Sequence, residues 1–100
     1  MVSYNKEIRN RILISVYAYA YEFLNESLID DYEYDKLAQE IDVNVSTNNM
    51  MLDKFFKDCY VSYSGSWILN HPEIEKIREI YNKYFKKWGE KKWLINILYN

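Results

Sequence analysis

Apolar side chains recur along this chain at the three- and four-residue spacing of helices. Ile8, Ile12, Val16, Tyr19 and Phe23 mark one buried face of a first helix over 3–24. Asn25-Glu26-Ser27 breaks that pattern and opens a short loop. Asp30 then stands at an N-cap position with Glu33 three residues on, an acidic variant of the capping box. A second helix follows over 31–41, burying Tyr34, Leu37, Ala38 and Ile41. Joined by so short a loop, the two helices are expected to form an antiparallel hairpin.

Asp42 to Asn49 is a polar connector carrying Val43 and Val45, with Ser46 and Thr47 as candidate caps. A third helix is expected over 49–58, burying Met51 or Leu52 together with Phe55 and Phe56. Residues 60–67 fit either a loop or a short strand pair, and the pattern does not choose between them. Asn70-His71-Pro72-Glu73 reads as a helix start, with Pro at home in the first turn and Glu73 and Glu75 facing the positive end of the dipole. The last helix, over 72–98, is expected to bury Ile74, Ile77, Tyr81, Tyr84 and Trp88. Gly89 interrupts it before Trp93, Leu94, Ile97 and Leu98 resume an apolar face, so 93–99 is a candidate homodimer contact. The expectation is one all-α domain: a hairpin over 1–42, a connector with a short helix over 43–71, and a carboxy-terminal helix over 72–100.

Composition supports that class. Hydrophobic residues make up 49% of the chain and aromatic residues 18%, enough to build a core from a short sequence. Two Gly and one Pro leave little material for the turns of a sheet protein. Cys59 is alone, so no internal disulfide is available, and it is expected to be a buried or half-buried thiol. The charged first residues lack the apolar run of a signal peptide, and the uncharged stretch 12–21 is too short to span a bilayer. A soluble, cytoplasmic protein without a membrane partner is expected.

The net charge of −2 hides an asymmetry. Residues 1–42 hold nine acidic and four basic side chains, whereas 71–100 hold four acidic and seven basic. An acidic end repels phosphates, so nucleic acid is not an expected partner. Lys86-Lys87 and Lys91-Lys92 read as a solvated face.

The chemistry concentrates in 17–35. Helical spacing places Tyr17 and Tyr21 on one face of the first helix, and Asp31, Tyr34 and Asp35 on one face of the second. A closed hairpin brings these phenols and carboxylates together near its open end. Aromatic faces stack on flat heterocycles, and carboxylates suit a cationic ring, an amide N–H or ribose hydroxyls. The same stripe also serves as ordinary core. His71 reads as a capping residue rather than a base, with no nucleophile candidate beside it.

Tyr21-Glu22 followed by Asp31-Tyr32-Glu33-Tyr34-Asp35 resembles the small amino-terminal subdomain of NAD-dependent DNA ligases. In that family a Tyr-His pair late in one helix and an Asp-x-x-Tyr-Asp motif in the next hold the nicotinamide mononucleotide half of NAD. The resemblance runs through Ile41, with an echo at His71-Pro72-Glu73-Ile74. With the added segments around Leu52–Phe56 and Gly65–Ile68, the chain looks like the free-standing ligase-related small proteins of Firmicute bacteria and their phages. The resemblance implies that Tyr21, Asp31, Tyr34 and Asp35 contact nicotinamide mononucleotide (NMN) or NAD, with Tyr17 beside them. Glu22 stands where the family has His. The Lys-x-Asp-Gly nucleophile motif of adenylation is absent from the chain, so no enzyme is expected. Two function classes follow: a nicotinamide-nucleotide-binding accessory protein, or a phage-encoded interaction or inhibitor module that binds a host protein through its acidic hairpin or aromatic carboxy-terminal helix.

Overall fold

The structure, a computed structural model, describes residues 4–86. Within them the protein is all-helical. Helix α1 spans Tyr4–Leu24, α2 Asp31–Glu40, α3 Met50–Cys59 and α4 Ile74–Ile80, with a 3₁₀ turn at Ser66–Asn70 before α4 and a π turn at Tyr81–Phe85 after it. No helix among the described residues is long and apolar enough to cross a membrane.

Helix α1 is the axis on which α2, the 3₁₀ turn and α4 all pack. That explains why its buried set differs from the expected single face. Ile14, Val16, Ala18, Tyr19 and Ala20 are buried, as are the polar Glu7, Asn10, Arg11 and Ser15. Ile12 and Phe23, expected inside, are 37% and 42% exposed. A helix with neighbours on several sides buries around its circumference, and the small Ala18 and Ala20 let those neighbours approach closely. Asn25 ends the helix at φ 53°, the left-handed conformation that Asn tolerates, and the Glu26 N–H returns to the Ala20 carbonyl at 3.0 Å.

Helix α2 starts as its cap predicts: the Asp30 carboxylate accepts the Glu33 N–H at 2.8 Å. Ala38 is buried, and Tyr34, Leu37 and Ile41 pack partly against the core. Helix α3 begins on Asn49, whose side chain accepts the Leu52 N–H at 3.1 Å. It buries Phe55 and Phe56, leaves Leu52 half-buried and leaves Met51 exposed. Residues 60–65 form a loop rather than a strand pair. The 3₁₀ turn that follows drives Trp67 and Ile68 into the core. Tyr60, Trp67, Phe55, Phe56 and His71 form one aromatic cluster, with Tyr60 and Trp67 edge-on at 5.0 Å. The Tyr60 hydroxyl donates to the Ala38 carbonyl at 2.8 Å, tying this cluster to α2.

A buried polar clasp holds the connector against α1. The Arg11 guanidinium meets Glu7 at 2.6 Å and Asp53 at 2.7 Å, and donates to the carbonyls of Asp42 and Val45 at 2.9 and 3.1 Å. Glu7 has no exposed surface and also accepts the Asp42 N–H at 3.0 Å. Asp53 accepts the Thr47 hydroxyl at 2.6 Å and the Thr47 N–H at 3.0 Å. Burial works against the Asp53 carboxylate, but these bonds from Thr47 and Arg11 outweigh it and hold its pKa below the ordinary carboxylate value.

The last element starts at Ile74, two residues after Pro72, because the turn at 72–73 is closed by His71: its Nδ1 accepts the Glu73 N–H at 3.0 Å. Ile77 and Tyr81 are buried, as expected. Tyr84 is exposed, against expectation. The wider π turn shifts the register by one residue, so Phe85 rather than Tyr84 turns inward and meets Tyr17 edge-on at 6.1 Å. Arg78 donates to the Tyr19 hydroxyl at 3.2 Å, and the Tyr81 hydroxyl to Glu26 at 3.0 Å, fixing this element along α1. Cys59, expected buried or half-buried, is exposed at the end of α3. Trp88 and the proposed dimer contact at 93–99 lie outside the described residues.

Candidate functional site

At the loop end of the hairpin, rather than the expected open end, α1 and α2 border a groove of about 330 Å³. Residues 17–21 lie in the last turns of α1 and 31–35 in the first turns of α2, on either side of the connecting loop. Tyr17, Ala18 and Tyr21 supply one wall from α1, and Asp31, Tyr34 and Asp35 the other from α2. Ser27, Leu28 and Ile29 of the connecting loop close the end, and Tyr63 and Gly65 reach in from the loop before the 3₁₀ turn. Five of the six residues singled out in the sequence therefore line one groove. The spacing accounts for this: 17 and 21 are one turn apart, as are 31 and 35, so each helix presents its pair on the facing side.

Glu22, the sixth, is exposed and does not line the groove. It lies at the rim: its Oε1 is 3.6 Å from where a Cβ on Gly65 would stand. That same point is 3.5 Å from the Tyr34 hydroxyl and 3.6 Å from the Ala18 Cβ. The absence of a side chain at Gly65 thus leaves open the space between the two helix walls.

The site is held differently on its two sides. Tyr34 is half-buried, and its hydroxyl donates to the Ser64 carbonyl at 3.3 Å. Trp67 Nε1 donates to the same carbonyl at 2.9 Å, so the loop carrying Tyr63 and Gly65 is pinned from below. Tyr21 and Tyr63, by contrast, are 57% and 86% exposed and stand at the mouth. Burial is the largest influence and raises the Tyr34 pKa; Trp67 pulls the other way, and the nearby carboxylates of Glu22 and then Asp35 add smaller rises. Burial likewise raises the Tyr17 pKa, with Glu33 adding and Arg9 opposing. Both phenols stay protonated at neutral pH; Tyr34 gives its hydrogen to Ser64 and keeps its oxygen as an acceptor, and Tyr17 can donate to a ligand. Asp31 and Asp35 are exposed and enter none of the hydrogen bonds or ion pairs among the described residues, so their oxygens are available to a ligand.

The arrangement can stack a flat ring between phenols and offer carboxylate acceptors to amide or ribose donors at its edge. Sequence reasoning missed Tyr63 and Gly65. Their membership depends on a loop that returns from α3, and no spacing rule connects 63 or 65 to the hairpin. The Tyr17–Phe85 contact shows that one of the phenols also packs as core.

A second cleft, of about 270 Å³, lies between α1, the start of α3 and α4. Its walls are chiefly apolar, including Ile8, Ile12, Leu52, Ile77 and Ile80. The polar groups at its floor are already engaged. Arg11 is held by the clasp, Ser15 donates to the Arg11 carbonyl at 2.6 Å, and Thr47 donates to Asp53. Burial lowers the His71 pKa to about 4, so the ring is neutral and its Nδ1 is occupied by the Glu73 N–H. The sequence missed this clasp as well, since Glu7 and Arg11 four residues apart resemble an ordinary surface pair.

No family model matches this chain, and no curated protein or solved structure does.

Proposed function

We propose that this protein is a non-catalytic binding module whose hairpin groove holds nicotinamide mononucleotide, or the nicotinamide half of NAD. The observation that supports the reading most is the convergence of Tyr17, Tyr21, Tyr34, Asp31 and Asp35 on one groove. The oxidised nicotinamide ring is flat and cationic, bears a carboxamide and is attached to ribose. Tyr21 and Tyr34 border the ring in this reading, and Asp31 and Asp35 accept from the carboxamide and ribose and oppose the ring charge. The groove's volume falls at the lower end of small-ligand sites, which suits half of a dinucleotide rather than the whole. The resemblance of Tyr21-Glu22 and Asp31–Asp35 to the ligase subdomain points the same way.

Isothermal titration with NMN, NAD and AMP tests this, repeated on Asp35→Asn. The expected result is saturable binding of the first two and not of AMP, weakened at least roughly tenfold in the variant, since a charge-assisted contact is worth on the order of 1.5–3 kcal/mol. No heat with NMN or NAD would sink the reading.

A second reading has its own observation. Tyr32 and Tyr63 are highly exposed, and with Tyr21 and the carboxylates of Glu22, Asp31 and Asp35 they give the hairpin end an aromatic, acidic surface of the kind that docks a basic protein partner. In that case charge reversal at Glu22 and Asp31 slows association in a salt-dependent way, and NMN does not compete.

A further inference from the structure

We propose that the groove selects by charge, taking an oxidised nicotinamide riboside, with its cationic ring and no phosphate, in preference to the phosphorylated mononucleotide. This rests on the reading of the groove as a nicotinamide site and narrows its ligand class. Among the described residues the charged side chains lining the groove are Asp31 and Asp35, and no Lys, Arg or His lines it. Neither aspartate spends its charge on an ion pair among the described residues. Glu22 adds a carboxylate at the rim beside Gly65. Tyr17, Tyr21, Tyr34 and Tyr63 supply the aromatic faces to which an organic cation is drawn.

A phosphate monoester needs the opposite surroundings: guanidinium or ammonium groups, or the free amides of a helix start. The helix start that borders this groove belongs to α2, and its positive end is already met by carboxylates. Asp30 accepts the Glu33 N–H at 2.8 Å, and Asp31 and Glu33 occupy the first turn. At Tyr17 the field of Arg9 is opposed by that of Glu33. A dianionic phosphate a few ångströms beyond the ribose is therefore repelled by Asp31 and Asp35 with no compensating cation among the described lining residues, whereas the pyridinium charge is attracted by the same groups.

Titrations with three probes test the selection: nicotinamide riboside, nicotinamide mononucleotide and the uncharged dihydronicotinamide riboside, each at low and at high ionic strength. The riboside is expected to bind roughly tenfold tighter than the mononucleotide at about 10 mM salt, and the gap to shrink to roughly twofold near 1 M as the interaction is screened. The dihydro riboside, which lacks the ring charge, is expected to bind roughly tenfold more weakly than the oxidised form. In the Asp31→Asn/Asp35→Asn variant, checked for native helicity, both gaps should narrow. A mononucleotide that binds as tightly as the riboside, or tighter, overturns the charge selection while leaving the groove a nicotinamide site. Equal binding of the oxidised and dihydro ribosides overturns it too. Absence of binding by all three probes removes the nicotinamide reading itself, and the selection with it.

Discussion

Arg11→Met tests the clasp beneath the fold. Methionine keeps most of the side-chain stem and the apolar contact with Phe56, over whose ring the guanidinium now sits at 5.0 Å. It removes the ion pairs with Glu7 and Asp53 and the bonds to the carbonyls of Asp42 and Val45. Asp53 suffers less, since about a fifth of its side chain is exposed and Thr47 still donates to it twice. Glu7 suffers most: it is fully buried and keeps, among the described residues, the Asp42 N–H as its donor. Breaking one partner out of a buried pair costs about 3–5 kcal/mol, because the other charge is left uncompensated. Against a total stability of roughly 5–15 kcal/mol that is a large fraction, and at roughly 4 °C per kcal/mol the Tm should fall by about 12 °C or more. Urea denaturation followed by far-UV circular dichroism measures the loss directly. Adding Glu7→Gln to Arg11→Met should recover part of it, since the stranded charge is then gone. A loss below about 1 kcal/mol for Arg11→Met would show that the clasp behaves as a surface pair and would refute the reasoning.

Two further predictions follow from individual side chains. His71 has a folded pKa of about 4 against an ordinary 6.5. As pH falls through that window the unfolded chain takes up a proton that the folded chain does not, so stability should drop by up to about 1.4 kcal/mol per pH unit. His71→Gln should flatten that slope between pH 6.5 and 4 in urea titrations. The contribution of Asp53, whose pKa is depressed, is fully present above its ordinary 3.8 and is lost only at lower pH. Gly65→Ala should leave the Tm within a few degrees, because the added methyl meets its neighbours at 3.5–3.6 Å without collision. It should nevertheless weaken binding of nicotinamide ligands several-fold by narrowing the groove; unchanged affinity would place the ligand elsewhere.

The hairpin was legible because its signals are local. Asp30 with Glu33 announces the start of α2, and the one-turn spacings 17–21 and 31–35 put the groove residues on facing walls. Phe55 and Phe56 likewise declare the buried side of α3. What the pattern could not reveal depends on partners distant in sequence. Glu7 and Arg11 are buried because the connector 41–49 and Asp53 fold over them, so residues four apart on α1 become one end of a link to position 53. Ile12 and Phe23 fit a one-sided helix, but α1 has neighbours on several sides and its exposed strip falls elsewhere. The inward turn of Phe85 in place of Tyr84 comes from the π turn, which helical periodicity does not foresee. Tyr63 and Gly65 enter the groove through a loop fixed by Trp67 and Tyr34 on Ser64, and that contact has no counterpart in the spacing of either helix.

The most direct test of the central claim is an amide NMR titration of the labelled protein with nicotinamide riboside. Saturable shift changes are expected, concentrated at 17–21, 27–35 and 63–65, the three segments that line the hairpin groove. Changes centred instead on Ile12, Leu52 and Ile80 would assign the ligand to the apolar cleft between α1, α3 and α4, and no changes at all would contradict nicotinamide binding outright.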